Sequence, residues 1–388
     1  MLVIQTLNSI ARSGLERLPG ADYRVADDVA EPDAILLRSA NLHDRPIPAS
    51  VKAVARAGAG VNNIPVDALS ERGLPVFNAP GGNANAVKEL VVAGLLLAAR
   101  NIPDALRFID SLAGSDAMND EVERAKKRFV GRELSGKTLG VIGLGAIGVK
   151  VANAASALGM QTIGLDPHMT IDGAWQLSSD VAKANSLEGL FGASDYVTFH
   201  VPLNSATRGL FGSEALERVR PGVTLLNFSR AGIVDTHALL QGLDQRRIAR
   251  YVTDFPDSRL LGDPRVISLP HLGASTGEAE ENCASMVVDA LRDFLENGNV
   301  RNAVNFPATR MGRAGVARIC VANRNQPNMI GRLSHTLGEA GLNIAQMHNA
   351  SRGELAYSLI DVDSSVPATL VDTISAIDGI LSVRVLGG

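Results

Sequence analysis

The sequence predicts an α/β protein made of two doubly wound parallel-sheet domains followed by a smaller βαββαβ unit. Three observations carry this. Short apolar runs recur along the first three hundred residues, separated by polar turns and helical patterns, as buried parallel strands and their crossovers require. The apolar content is 46%, yet aromatics make up only 4%, so Ala, Gly, Val and Leu fill the core, which suits close helix–sheet packing. Beyond residue 315 the pattern becomes strand, helix, strand, strand, helix, strand in about seventy residues.

In chain order, apolar runs at 3–7, 34–37, 51–55 and 75–77 read as strands of a small first domain. Residues 84–100 read as a long apolar helix that leads into the second domain. At 138–166, TLGVIGLGAIGVKVANAASALGMQTIGLD reads as strand, glycine turn, helix, strand and acid. Gly143 allows the tight turn, Gly145 the approach of a pyrophosphate to the backbone, and Gly148 close packing of helix on strand. The N–H groups at Ala146 and Ile147 then face the phosphates from the helix N-terminus. Asp166 is placed to accept hydrogen bonds from ribose hydroxyls, and its charge would repel a 2′-phosphate, so NAD is expected rather than NADP. Four later strands are expected at 196–201, 223–227, 250–253 and 266–269, each ending in polar residues that should converge at one edge of the sheet. A second long helix is expected at 278–295. Residues 300–307 would return the chain to the first domain, giving two crossing connections and a hinged cleft. The expected domains are 1–91 with 282–308, 92–281, and 316–388, the last set off by a basic, glycine-containing linker.

Two strand ends carry chemistry. Arg230, in NFSRAGIVD, either clamps a carboxylate or neutralises Asp235 or a strand-end carbonyl. His271, in PHLGAST, follows a strand and precedes a helix; neutral imidazole is suited to taking a hydroxyl proton. In the first domain Arg38 and Arg56 lie at strand ends, where two guanidinium groups suit a dianionic phosphate, and the N–H groups of Ala59, Gly60 and Val61 suit a carboxylate. The bland reading is a rim of surface arginines. Lys88 is either a further cation for the ligand or a solvated lysine beside Glu89.

The motifs GLGAIG, NFSRAGIVD and PHLGAST, in that order, resemble those of the D-isomer-specific 2-hydroxyacid dehydrogenases, and the resemblance covers essentially the whole chain. RAGAGVNNIPVD at 56–67, HVPLNSATRGLF at 200–211 and the C-terminal unit extend it. It implies NAD-dependent oxidation of 3-phosphoglycerate to 3-phosphohydroxypyruvate, the entry to serine synthesis, with Arg230 as carboxylate clamp and His271 as acid/base. It also implies that His200, Val201, Pro202, Thr207, Phe228, Ser229, Asp254 and Gly273 border the cofactor. The family's usual glutamate partner of the histidine is absent: the segment reads Asp254-Phe255-Pro256-Asp257-Ser258-Arg259, and Asp257 is the expected substitute. The C-terminal unit resembles an ACT domain, which implies an amino-acid effector such as serine on Asn323, Asn325 and Asn343, or a role in assembly alone. Asn323 and Asn328 replace the usual histidine and glycine there.

The net charge of −4 and the lack of any long basic run exclude nucleic acid or an anionic membrane as the main partner. No run is long enough to span a bilayer, and the first residues read as a strand without a signal-peptide core, so a cytoplasmic enzyme is expected. No metal-ligand spacing is present, and Cys283 and Cys320 are expected to be reduced core residues. A homodimer or homotetramer is expected. Two competing readings keep the fold: a dehydrogenase of another D-2-hydroxy acid, and an NAD-sensing binding protein without turnover.

Overall fold

The computed structural model describes residues 1–387. By its contacts the chain divides into two compact units, Met1–Asn83 with Gly277–Gly388, and Ala84–Thr276.

The first unit contains a five-stranded parallel sheet: β1 (Leu2–Leu7), β2 (Tyr23–Ala26), β3 (Ala34–Leu37), β4 (Ala53–Arg56) and β5 (Val76–Phe77), in the order β2-β1-β3-β4-β5. Both faces of β3 and β4 are covered, which is why they read as unbroken apolar runs. The 21-residue helix Gly277–Asn297 buries Cys283, Ala284, Val287, Leu291 and Phe294 on this sheet.

The second unit is built on a seven-stranded parallel sheet. Its strands are β6 (Thr138–Ile142), β7 (Gln161–Leu165), β8 (Val181–Lys183), β9 (Tyr196–Phe199), β10 (Val223–Asn227), β11 (Ile248–Thr253) and β12 (Val266–Ser268). Their order is β12-β11-β10-β9-β6-β7-β8, so the direction of winding reverses between β6 and β9. Ligands bind beyond the carboxyl ends of the strands at such a reversal. The helix Ala84–Ala99 packs its small residues here; Gly94 sits where a methyl group would press on Phe228 and Val252. Two further helices, Ile102–Ser111 and Met118–Ala125, leave their apolar side chains Leu106, Ile109 and Met118 exposed.

Within the first unit, the C-terminal residues form a four-stranded antiparallel sheet of β13 (Ala317–Arg324), β14 (Ile344–Arg352), β15 (Leu355–Val362) and β16 (Ile380–Leu386), ordered β14-β15-β13-β16. One face holds the helices Met329–Glu339 and Ala368–Ser375 through Ile319, Val321, Leu333, Leu337 and Ile374. The other face, Cys320, Ala322, Tyr357 and Leu359, shares a core with Phe294, Val300 and Phe306. Both cysteines are free and buried.

Candidate active site

Strand register builds the site of the second unit. Leu165, Ile142, Phe199, Asn227, Thr253 and Ser268 are neighbours across the sheet, one strand after another. The residues that follow them, Asp166, Gly143, His200, Phe228, Asp254 and Leu269, therefore leave the sheet along one edge. Arg230 lies three residues beyond Asn227 and His271 three beyond Ser268, so both side chains belong to loops at that edge.

The three glycines of the turn differ in what surrounds them. Gly143 has φ +89°, and an added Cβ would lie 2.6 Å from the carbonyl oxygen of His200. At Gly148 an added Cβ would overlap the carbonyl of Gly143. Gly145, by contrast, has no protein atom within 4 Å of its would-be Cβ. Two glycines are thus demanded by the fold and the third opens onto free space at the N-terminus of the helix Ala146–Ala157, where a pyrophosphate fits. Asp166 ties the turn down: its two oxygens accept the N–H groups of Leu144 and His168, each at 2.8 Å.

The neighbouring strand ends are braced internally. His200 donates its N–H to Ile142, and its Nε2 lies 3.0 Å from Thr198 Oγ1 while Nδ1 is buried without a partner among the described residues. Burial pushes this imidazole down to about 3, so it is neutral at working pH. Val201 and Pro202 follow, and Thr207 closes their loop by donating its hydroxyl to the Pro202 carbonyl. Phe228 is buried, and Ser229 Oγ donates to Asn227 Oδ1 at 3.0 Å.

Arg230 is half-buried; its guanidinium donates to the Ser229 carbonyl at 2.7 Å. Asp235 instead caps the following helix by accepting the Ala238 N–H at 2.8 Å. This leaves the rest of the Arg230 fork available for a bidentate anion. His271 has φ +47°, a left-handed conformation that costs a non-glycine residue about 1 kcal/mol. Asp254 holds it there from two sides: its carbonyl accepts the His271 N–H and its Oδ2 accepts the Gly273 N–H, both at 2.9 Å. Asp254 is buried, and its Oδ1 has no partner among the described residues. Burial pushes its carboxyl upward, opposed by the Gly273 N–H and by the charges of His271 and Arg230.

The structure does not bring Asp257 onto His271. Its carboxylate is held by Arg259, at 3.0 Å from Nε and 2.6 Å from Nη2, and by Thr236 Oγ1 at 3.1 Å. These bonds, Arg259 first, keep Asp257 well below the usual carboxylate range. The ring beside His271 is that of Phe255, with centroids 4.8 Å apart. Lys88 pairs with Glu89 at 3.4 Å.

In the first unit, Arg38 and Arg56 stand side by side at the ends of β3 and β4, and Arg56 Nε donates to the Arg38 carbonyl at 2.9 Å. The next loop turns back through bonds from Asn78 Nδ2 to the Ala59 carbonyl and from the Ala79 N–H to Gly58. The N–H groups of Ala59, Gly60 and Val61 have no acceptor among the described residues. Three consecutive amides of this kind suit an anion. Arg38 also makes an ion pair with Glu280, from the first turn of the helix Gly277–Asn297.

In the C-terminal sheet, Asn323 is buried with Nδ2 donating to Arg324 and Oδ1 unpartnered among the described residues, and Asn325 donates to Gly353 at 3.0 Å. Asn343 is exposed at the opposite end of the sheet, beside Ile344, which pairs with Val362. Within one chain these asparagines do not meet.

The comparisons with known proteins follow the same lines. The family model of the D-isomer specific 2-hydroxyacid dehydrogenase NAD binding domain matches residues 92–273. D-3-phosphoglycerate dehydrogenase of Escherichia coli is 31% identical over 401 residues, an alignment covering 99% of this chain and 94% of that protein. The chain belongs to the D-isomer-specific 2-hydroxyacid dehydrogenase family. The D-3-phosphoglycerate dehydrogenase of Synechocystis sp. is 34% identical over 93% of this chain. The chain spans only 62% of that relative, and 53% of the one from Archaeoglobus fulgidus. Among solved structures, the NAD+-bound 3-phosphoglycerate dehydrogenase of Entamoeba histolytica superposes with a TM-score of 0.62 at 25% identity, over 78% of this chain and 98% of that one. A D-2-hydroxyisocaproate dehydrogenase, at 22% identity and a TM-score of 0.63, shares the family fold. NAD is therefore the cofactor of the second unit. No helix among the described residues is long and apolar enough to cross a membrane. No group of metal-ligating side chains is present among them either.

Proposed function

We propose that this chain is an NAD-dependent dehydrogenase that oxidises 3-phosphoglycerate to 3-phosphohydroxypyruvate, the reaction that opens serine synthesis. The observation that carries the reading is the register of the parallel sheet, which sets the loops of Arg230, Asp254 and His271 along the same edge as the glycine turn. The glycine turn at Gly145, the N–H groups of Ala146 and Ile147 and the carboxylate of Asp166 would hold NAD, which would supply a hydride acceptor for C2 of the substrate. His271 takes the proton of the C2 hydroxyl and returns it in the reverse direction. Arg230 holds the carboxylate and polarises the adjacent C–O bond. Asp254 keeps the His271 loop in its left-handed turn and presents its remaining oxygen to the nicotinamide carboxamide. Arg38 and Arg56 take the phosphate, with the amides of Ala59, Gly60 and Val61 and with Lys88 as further anion-binding groups. Asn323, Asn325 and Asn343 are assigned to an amino-acid effector such as serine, in a homodimer or homotetramer.

NADH formation with a panel of D-2-hydroxy acids, with and without a 3-phosphate, tests the reading. Turnover is expected to be fastest with 3-phosphoglycerate. Faster turnover of an unphosphorylated acid would replace the substrate, and NAD binding without turnover of any acid would replace the activity by cofactor sensing.

A further inference from the structure

The imidazole of His271 has no hydrogen-bond partner among the described residues, so no carboxylate fixes its plane. Asp257 is occupied by Arg259 and Thr236. Asp254 gives Oδ2 to the Gly273 N–H, and its Oδ1 has no partner among the described residues. What does touch the imidazole is the ring of Phe255, with centroids 4.8 Å apart and planes tilted by 52°, a separation at which aromatic pairs attract. Both rings are carried on anchored backbone. The Phe255 N–H donates to Thr253 Oγ1 at 3.0 Å, and that hydroxyl donates to the Asn227 carbonyl at 2.9 Å from a buried position. Pro256 follows and disfavours helical backbone at Phe255. Facing it, the His271 N–H is accepted by the carbonyls of Asp254 and Leu269 at 2.9 and 3.1 Å.

We propose that Phe255 is the positioning residue of the His271 imidazole, its ring holding by packing the orientation that a carboxylate would hold by a hydrogen bond. The inference rests on the reading of His271 as the base, and it adds what aims that base. The χ2 torsion of an imidazole is broad and roughly two-fold, whereas proton transfer needs one ring nitrogen within hydrogen-bond reach of the substrate hydroxyl. On a side chain as exposed as that of His271, an unguided ring spends time in orientations that cannot take the proton. A neighbouring aromatic ring that favours one orientation shifts these populations by a few-fold to about tenfold.

The test is Phe255→Leu in the full chain, with its fold checked by thermal unfolding, beside Phe255→Met as a second non-aromatic variant and Phe255→Tyr, which restores the ring. The two non-aromatic variants are expected to lower kcat roughly three- to tenfold with the D-2-hydroxy acid that the parent turns over, while KM and the NAD dissociation constant stay within about twofold. Phe255→Tyr should keep kcat within about twofold of the parent. A second readout needs no turnover. The imidazole C–H resonances of His271, identified by their absence in His271→Asn, lie in the ring current of Phe255; they should move in both non-aromatic variants and stay near their parent positions in Phe255→Tyr. Parent kcat in Phe255→Leu and Phe255→Met, an equal loss in Phe255→Tyr, or unmoved resonances overturns the proposal. Moved resonances in a protein that turns over no D-2-hydroxy acid, or whose His271→Asn variant turns over like the parent, support the orienting contact and remove only the acid/base assignment of His271.

Discussion

His271 and His200 follow strands β12 and β9 at the same edge of the sheet, with two strands between them, and are in opposite situations. His200 is buried, and its Nδ1 has no partner among the described residues. His271 is on the surface of its loop, held by Asp254 and packed at a tilt against the ring of Phe255. His271→Asn is expected to lower kcat by ~10²–10⁴. It should leave NAD affinity within a few-fold, as measured by titration of cofactor fluorescence. Asp257→Asn is expected to leave the rate and its pH profile unchanged, because that carboxylate serves Arg259 and Thr236; a shifted profile would restore Asp257 as partner of the histidine. His200 makes a stability prediction instead. Its folded pKa is about 3, below the unfolded value of ~6.5, so the unfolded chain binds the extra proton between these values. Stability is fully present above pH ~6.5 and falls as pH drops towards 3. Denaturant unfolding of His200→Gln should show a shallower loss across that window than the parent, and equal slopes would mean that His200 is already protonated or solvated in the fold.

Among elements, the glycine turn separates folding from binding within six residues. Gly148→Ala places a methyl group on the Gly143 carbonyl, so it is expected to cost several kcal/mol and to lower Tm sharply. Gly145→Ala meets no protein atom, so it should fold like the parent yet weaken NAD at least tenfold by crowding the pyrophosphate. Calorimetry of folding and of NAD binding on both variants decides it; a normal Tm for Gly148→Ala would contradict the packing described here. These elements were legible because parallel strands buried on both faces are continuous apolar runs: Val223–Asn227 is read at its observed ends. The strand expected at 196–201 stops at Phe199 because the chain leaves the sheet at His200 and reaches Pro202, which has no N–H to pair. Helices Ile102–Ser111 and Met118–Ala125 gave no comparable signal, since their side chains are mostly exposed and no buried stripe marks them. Glu280 was illegible for another reason: its ion pair joins residues 242 positions apart, Arg38 and Glu280, and only the fold brings them together.

For the molecule as a whole, the telling feature is a buried ion pair that periodicity alone could not interpret. Arg318 is a single charge in the apolar strand ARICVA, and Asp361 a single acid in the strand opposite; the register places them directly across from each other. Neither side chain has exposed surface. Burial pushes the Asp361 carboxyl up, but Arg318 and the Ala314 N–H outweigh it and hold the carboxyl below its ordinary value. The guanidinium spends its remaining donors on the carbonyls of Asn297, Met311 and Gly312. One arginine thus ties β13 and β15 to the end of the helix Gly277–Asn297 and to the linker, and the apolar face of Tyr357 and Leu359 completes the attachment. The C-terminal sheet is accordingly part of the core of the first unit. Arg318→Met leaves Asp361 buried without its cation and is expected to cost ~3–5 kcal/mol. Asp361→Asn leaves the buried Arg318 without its anion and is expected to cost a similar amount, although the amide oxygen can still accept the Ala314 N–H. The double variant Arg318→Met/Asp361→Leu should recover most of the loss, since paired apolar groups need no desolvated charge to be balanced. Denaturant midpoints of the three variants measure this. If Arg318→Met unfolded only the C-terminal sheet, with the helix Gly277–Asn297 still protected from hydrogen exchange, the sheet would be a separately folding module and the shared core would be incidental to stability.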